Sequence, residues 1–285
     1  AAAAGAAAPA PGGRSYRLSM HHPNPEEPNS CCFVESYLGE FNVETWATAK
    51  MMTSLLREAA FNQLRSEEQL GYIVHTTDTK FLESAIFVSI IVQSNFAPPE
   101  YLHARIDDFL RKFRGDLEAM EDGVFESTRA GCVEDITQKA KSLSDEKRRI
   151  WAKMDNDVFG FEYKFRGAKV IEGFTKADML RVLDEKFLAN AGRTQIVLQV
   201  ASHAFKLPTD EGYGEQLAEW AKKQEEVRGN REEGCDDPAD VGAYALGPFI
   251  DINDKFAFKA NAPLASCATT VAEEHPVVEG DLITA

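Results

Sequence analysis

Phe61-Asn62-Gln63-Leu64-Arg65-Ser66-Glu67-Glu68-Gln69-Leu70-Gly71-Tyr72-Ile73-Val74 is the stretch on which the reading of this chain turns. Ahead of it, Trp46, Met52, Leu55, Leu56 and Ala59 form an apolar stripe at helical spacing. A helix capped by Asn42 or Thr45 is therefore predicted to run to about Leu64. Gly71 is predicted to be its C-terminal stop, and Tyr72-Ile73-Val74 opens a strand. Arg65 and Tyr72 flank that change of direction, where a turn of the backbone can aim side chains at a ligand. From the residues alone the stretch is a helix end, a stop and a strand start, with its charges facing water.

Working outward, Gly71 to Thr77 and Ser84 to Ser94 read as two strands of an antiparallel hairpin, with the turn over Asp78 to Glu83. Before them, Cys31 to Leu38 is strand-sized and ends at Gly39, while Pro23, Pro25 and Pro28 make His21 to Asn29 an extended connection. After them, Pro98 and Pro99 suit the first turn of a helix. Its stripe is Leu102, Ile106, Phe109, Leu110, Phe113, Leu117 and Met120. A helix through Phe125, Cys132 and Ile136 follows Gly123, and Ser144 starts another, with Asp145 and Glu146 in its first turn. Gly160 to Gly173 reads as an aromatic-rich connection. Thr175-Lys176-Ala177-Asp178 resembles a capping box, opening a helix with Met179, Val182, Leu183 and Phe187. Thr194 to Val200 is a strand, and a short helix spans about Tyr213 to Gln224. This order predicts an α+β fold, an antiparallel or mixed sheet packed on one face by helices.

The 285 residues are enough for one large domain or two small ones, and 44% hydrophobic with 27% charged is ordinary for a globular chain. The longest apolar run, near Ala85 to Val92, is strand-sized, so no membrane-spanning segment is expected. A net charge of −15 argues against nucleic acid, which needs a concentrated basic surface. Between Asp210 and Asp240 eleven acidic residues face four basic ones, a balance of −7, which reads as a solvated acidic linker. The cysteines Cys31, Cys32, Cys132, Cys235 and Cys267 show neither metal nor disulfide spacing, and a reducing compartment fits them. The cytoplasm is the expected location, an organelle the alternative. The alanine-, proline- and glycine-rich opening, without an initiator methionine, reads as an internal junction in a longer chain.

Motifs for chemistry are missing. None of His21, His22, His75, His103, His203 and His275 makes H-E-x-x-H or H-x-x-E-H. Glu273-Glu274-His275 comes nearest, but Val271 stands where the first histidine is needed. There is no nucleophile elbow, P-loop or dinucleotide fingerprint, and no local signature supports a Cys-His pair.

Phe61 to Val74 closely resembles a motif of the insulysin/pitrilysin family of inverted-zincin metallopeptidases, in the last of that family's four homologous domains. Further similarities follow in order. They are Pro25-Glu26-Glu27-Pro28-Asn29-Ser30, Val92-Gln93-Ser94 with Pro98-Pro99-Glu100-Tyr101-Leu102, Lys141-Ser142-Leu143-Ser144, Phe174-Thr175-Lys176-Ala177-Asp178, and the late Phe258-Lys259 and Pro263-Leu264. The division they suggest is a low-complexity linker over 1–14, an insulysin-like C-terminal domain over 15–205, an acidic linker with a short helix over 206–245, and a C-terminal strip and tail over 246–285. The acidic insert from Thr209 to Asp240 and the tail after Ala265 have no counterpart in the family pattern.

The resemblance implies an α+β domain that helps wall an enclosed peptide chamber. It implies zinc as cofactor of the complete enzyme, ligated by another domain, with no metal ligands in this chain. The family's arginine and tyrosine that face the zinc site and contact substrate fall on Arg65 and Tyr72. The partners implied are an upstream zinc-bearing half of the same enzyme and a peptide substrate, with a homo-oligomer left open and neither nucleic acid nor membrane expected. The expected function is thus the C-terminal, substrate-chamber domain of a zinc metalloendopeptidase, inactive as this chain alone. The alternative is a non-catalytic, peptidase-derived subunit or peptide-binding scaffold.

Overall fold

The order of hydrogen-bonded strands is β3-β4-β2-β5-β1-β6, a six-stranded mixed sheet. The computed structural model describes residues 14–81, 84–155, 162–188, 193–228 and 249–252. The strands are β1 (Ser15–His21), β2 (Ser30–Glu40), β3 (Ile73–Phe81), β4 (Ala85–Ser94), β5 (Gln195–Ala201) and β6 (Phe249–Asp251). β1 runs parallel to β5 and β6, and every other pairing is antiparallel. The helices are α1 (Val43–Ala60), α2 (Pro99–Ala119), α3 (Asp122–Thr137), α4 (Leu143–Asp155), α5 (Tyr163–Glu172), α6 (Lys176–Leu183) and α7 (Tyr213–Arg228). This is the α+β arrangement expected from the sequence.

The helices cover one face because the strands alternate. β2 turns Cys32, Val34 and Leu38 inward, and β4 turns Ile86, Val88, Ile90 and Val92 the same way. Against them α1 buries Met51, Met52, Leu55 and Leu56, while α2 buries Leu102, Ile106, Phe109, Leu110, Phe113 and Leu117. Each such side chain contributes roughly 2 kcal/mol of apolar transfer free energy. Asn42 caps α1 by accepting the Thr45 N–H at 2.7 Å. Thr175 and Asp178 close the capping box of α6, with Asp in the usual Glu place.

The structure corrects several expectations. Strand β1 was absent from the sequence reading; its Tyr16, Leu18 and Met20 alternate with polar residues and were the available signal. β3 continues to Phe81 instead of turning at Asp78, because Lys50 on α1 binds Asp78 at 2.9 Å and keeps that polar residue in the strand. The expected connection up to Gly173 contains helix α5. Its Gly167 lies flat on Trp46 of α1, where an added Cβ would come 2.3 Å from the ring, and Ala168 and Ile171 are buried beside it. Gly167 serves close helix packing. β2 passes through Gly39 by a register shift between Tyr37 and Gly39. Of the late segments, Phe258-Lys259 and Pro263-Leu264 lie outside the described residues, as does most of the acidic run.

Between α2 and β5 the interior is polar. Arg193 donates to both oxygens of Asp107 at 3.1 and 3.2 Å, and His103, fully buried one turn earlier, stands edge-on to the Phe249 ring at 5.5 Å. Among the described residues neither ring nitrogen of His103 has a hydrogen-bond partner. Burial lowers its pKa to about 4, Arg193 and Arg17 push the same way, and Asp107 opposes them. The folded chain therefore keeps His103 neutral where the unfolded chain, near its ordinary 6.5, takes up a proton. Stability from this group is complete above that value and is lost as pH falls from about 6.5 to about 4, where the dependence levels off. The expected loss between pH 7 and pH 4 is about 3 kcal/mol. Urea unfolding at the two pH values checks it: His103→Leu removes that part of the loss, and an unchanged difference rules it out.

Candidate functional site: an arginine between two aromatic rings

α1 does not end at a glycine. Its last turns widen into a π-helical turn, Phe61–Glu67, in which Glu68 donates its N–H to the Gln63 carbonyl at 2.8 Å and Leu70 to Leu64 at 3.0 Å. Such widened turns are found disproportionately at functional sites. Gln69 takes the left-handed conformation that reverses the chain, with φ 53°. Gly71 has another duty. A Cβ there would lie 1.7 Å from the Gln93 carbonyl oxygen, so only glycine lets the chain pass this close to β4.

A buried ion pair fixes the turn. Arg105 of α2 donates to both carboxylate oxygens of Glu68, at 2.7 and 2.8 Å, and both side chains are nearly inaccessible. Gln63 donates to the same carboxylate at 2.9 Å, and Asp108 takes a further Arg105 N–H at 3.0 Å. Leu64 and Leu70 are buried on the inner side. The outer side is thereby held in one orientation.

On that outer side Arg65 lies between two rings. Its guanidinium carbon is 4.7 Å from the centroid of Phe61 and 4.7 Å from that of Tyr72. Cation–π contact on both faces orients the guanidinium plane and leaves its N–H edges for other acceptors. Among the described residues Arg65 has no hydrogen-bond or ion-pair partner. Tyr72 is 81% exposed, and Ile73 and His75 after it are exposed as well. The structure thus brings Arg65 and Tyr72 into contact. Phe61 completes the cluster and was missed, although its four-residue spacing from Arg65 on a helix was a usable signal.

The cluster stands at the rim of the sheet face that no described helix covers, the helix-free face. By register Ile73, Gln93 and Cys31 share one row of that face, and His75, Ile91, Phe33 and Leu198 share the next. Tyr37 and Phe87 pack on it with ring centroids 5.5 Å apart. Among the described residues no three His, Cys, Asp or Glu side chains converge to hold a metal. His21 and His203 stack at 4.7 Å, yet Asp210 at 3.7 Å is the one carboxylate bridged to that pair. The described residues do not fit a zinc site.

Residues 51–151, from the middle of α1 into α4, match the family described as PQQ synthase PqqF-like, C-terminal lobe domain 4. That segment is similar to the C-terminal lobe domain of the insulysin/pitrilysin family. Saccharomyces cerevisiae A-factor-processing enzyme is 26% identical over 192 residues, which is 67% of this chain and 18% of that protein. Arabidopsis thaliana peroxisomal insulin-degrading enzyme-like 1 is 23% identical over 88% of this chain and 23% of its own length. Human insulin-degrading enzyme is 26% identical over 59% of this chain and 16% of its own. The chain therefore spans about a fifth of the curated relatives it matches. The crystal structure of pitrilysin shares the fold with a TM-score of 0.60 at 17% identity, covering 70% of this chain and 21% of pitrilysin. A protease from Helicobacter pylori does so with a TM-score of 0.50 at 16% identity, over 66% of this chain and 44% of the protease. The family's members include named peptidases, and the matched region is a C-terminal lobe domain.

Proposed function

We propose that this chain is the substrate-chamber domain of a zinc metalloendopeptidase that degrades peptides. The observation that carries the reading is the unpartnered Arg65, held between Phe61 and Tyr72 at the rim of an apolar, helix-free sheet face. In this reading an extended peptide lies on that face. Arg65 donates its N–H fork to a peptide carbonyl, and the Tyr72 phenol donates to the oxyanion that develops during attack. Zinc, which this reading assigns to another domain of the complete enzyme, would supply carbonyl polarisation and water activation. The residues of this chain bind, orient and stabilise charge. Free Cys31, Cys32 and Cys132 suit a reducing compartment, and the cytoplasm is part of the same proposal.

The test is fluorogenic-peptide cleavage with saturating zinc, by the 285-residue chain and by the chain joined to a zinc-bearing half of the family. The reading expects turnover only in the joined form. Chelator-sensitive turnover by the chain alone overturns it. A joined form whose turnover ignores Arg65 and Tyr72 favours the non-catalytic scaffold instead.

A further inference from the structure

At the middle of the helix-free face stands a carboxylate. Glu35 lies on β2, two strands in from the β3 edge, in the row Thr77, Ser89, Glu35, Ile196. The neighbouring rows bring Phe33, Ile91, Tyr37 and Phe87 around it. Among the described residues its hydrogen-bond partner is the Ser89 hydroxyl, which donates at 3.3 Å. The strand positions on this face include no lysine or arginine, and among the described residues no cation bridges Glu35. Burial pushes the carboxyl above its ordinary range, with the Ser89 bond opposing part of that. A glutamine would keep the serine bond at a lower desolvation cost, so the charge does nothing for the fold. A half-buried carboxylate on an open apolar surface is suited to a cation that arrives with a ligand.

We propose that Glu35 recognises a basic side chain, lysine or arginine, of the peptide lying on the helix-free face. The proposal rests on the peptide-chamber reading above and adds a selection rule to it. Two strand spacings and four residue rises put Glu35 about 16 Å from the start of β3 beside Tyr72, the span of about five extended residues. The basic residue is thus about five positions from the residue held at Tyr72.

The test uses the 285-residue chain with its glutamate carboxyl carbons observed by NMR. The probes are two capped alanine-rich peptides that differ only in a central Lys or Gln. The expected result is a saturable shift of the Glu35 carboxyl with the Lys peptide and about tenfold weaker binding of the Gln peptide. Glu35→Gln, nearly isosteric, removes that preference while its thermal unfolding is retained. Equal binding of both peptides, no shift with either, or a lysine preference that survives Glu35→Gln overturns the proposal. Loss of turnover in Tyr72 and Arg65 variants without any lysine preference would leave the chamber reading standing and remove only this addition.

Discussion

On the proposed role of Tyr72, Tyr72→Phe in the complete enzyme is expected to lower kcat by about a hundredfold and leave KM within a few-fold, because one hydrogen-bond donor to a developing oxyanion contributes on the order of 3 kcal/mol. The substitution removes a single oxygen from a side chain that is already 81% exposed, so the fold loses nothing. Arg65→Ala has a wider effect. It removes the proposed carbonyl donor and also takes away the partner that orients both rings, since Phe61 and Tyr72 each stack on it at 4.7 Å. The expected result is a fall in kcat at least as large, joined by a rise in KM. Arg65→Lys keeps the charge but loses the planar fork and recovers little. Steady-state kinetics on one peptide separates the cases, and unchanged kcat in both Tyr72→Phe and Arg65→Ala defeats the assignment.

The second large effect is structural. Glu68→Ala leaves the Arg105 guanidinium buried with only Asp108 to balance it, and the expected cost is about 3 to 5 kcal/mol. Glu68 also anchors the π-helical turn through Gln63, so on the proposed role of Arg65 turnover is expected to drop beyond what lost stability explains. Replacing both partners with apolar residues, Glu68→Leu with Arg105→Met, should restore much of the stability, since the unpaired charge is gone. Urea unfolding of the single and double variants measures this. A single-variant cost below about 1 kcal/mol would place the pair among ordinary surface bridges.

The parts of the fold that follow one period were legible in the sequence. The α2 stripe, the β3–β4 hairpin and the Thr175 capping box are local patterns, and local physics decides them. The errors came where tertiary contact overrides local preference. Gly167 signals a break in isolation and close packing on Trp46 in the fold. Gly71 signals a helix stop, whereas its freedom is spent on passing the Gln93 carbonyl and the left-handed turn falls to Gln69. The candidate site was legible only through family resemblance. Nothing in the spacing of Arg65 and Tyr72 says that the π-helical turn brings them together, or that Phe61 closes the stack. Glu35 carried no sequence signal either; its setting depends on strand register and on which face the helices leave open.

The most direct measurement is photo-crosslinking from the proposed contact point. With p-benzoyl-phenylalanine at position 72 of the complete enzyme, irradiation with a labelled unstructured peptide should give a covalent adduct that excess unlabelled peptide suppresses. The same group at position 143, on the exposed side of α4 where Leu143 is 83% accessible, should give none. Competed labelling confined to position 72 is the result this account expects. No adduct at 72, or equal labelling at 143, would contradict it.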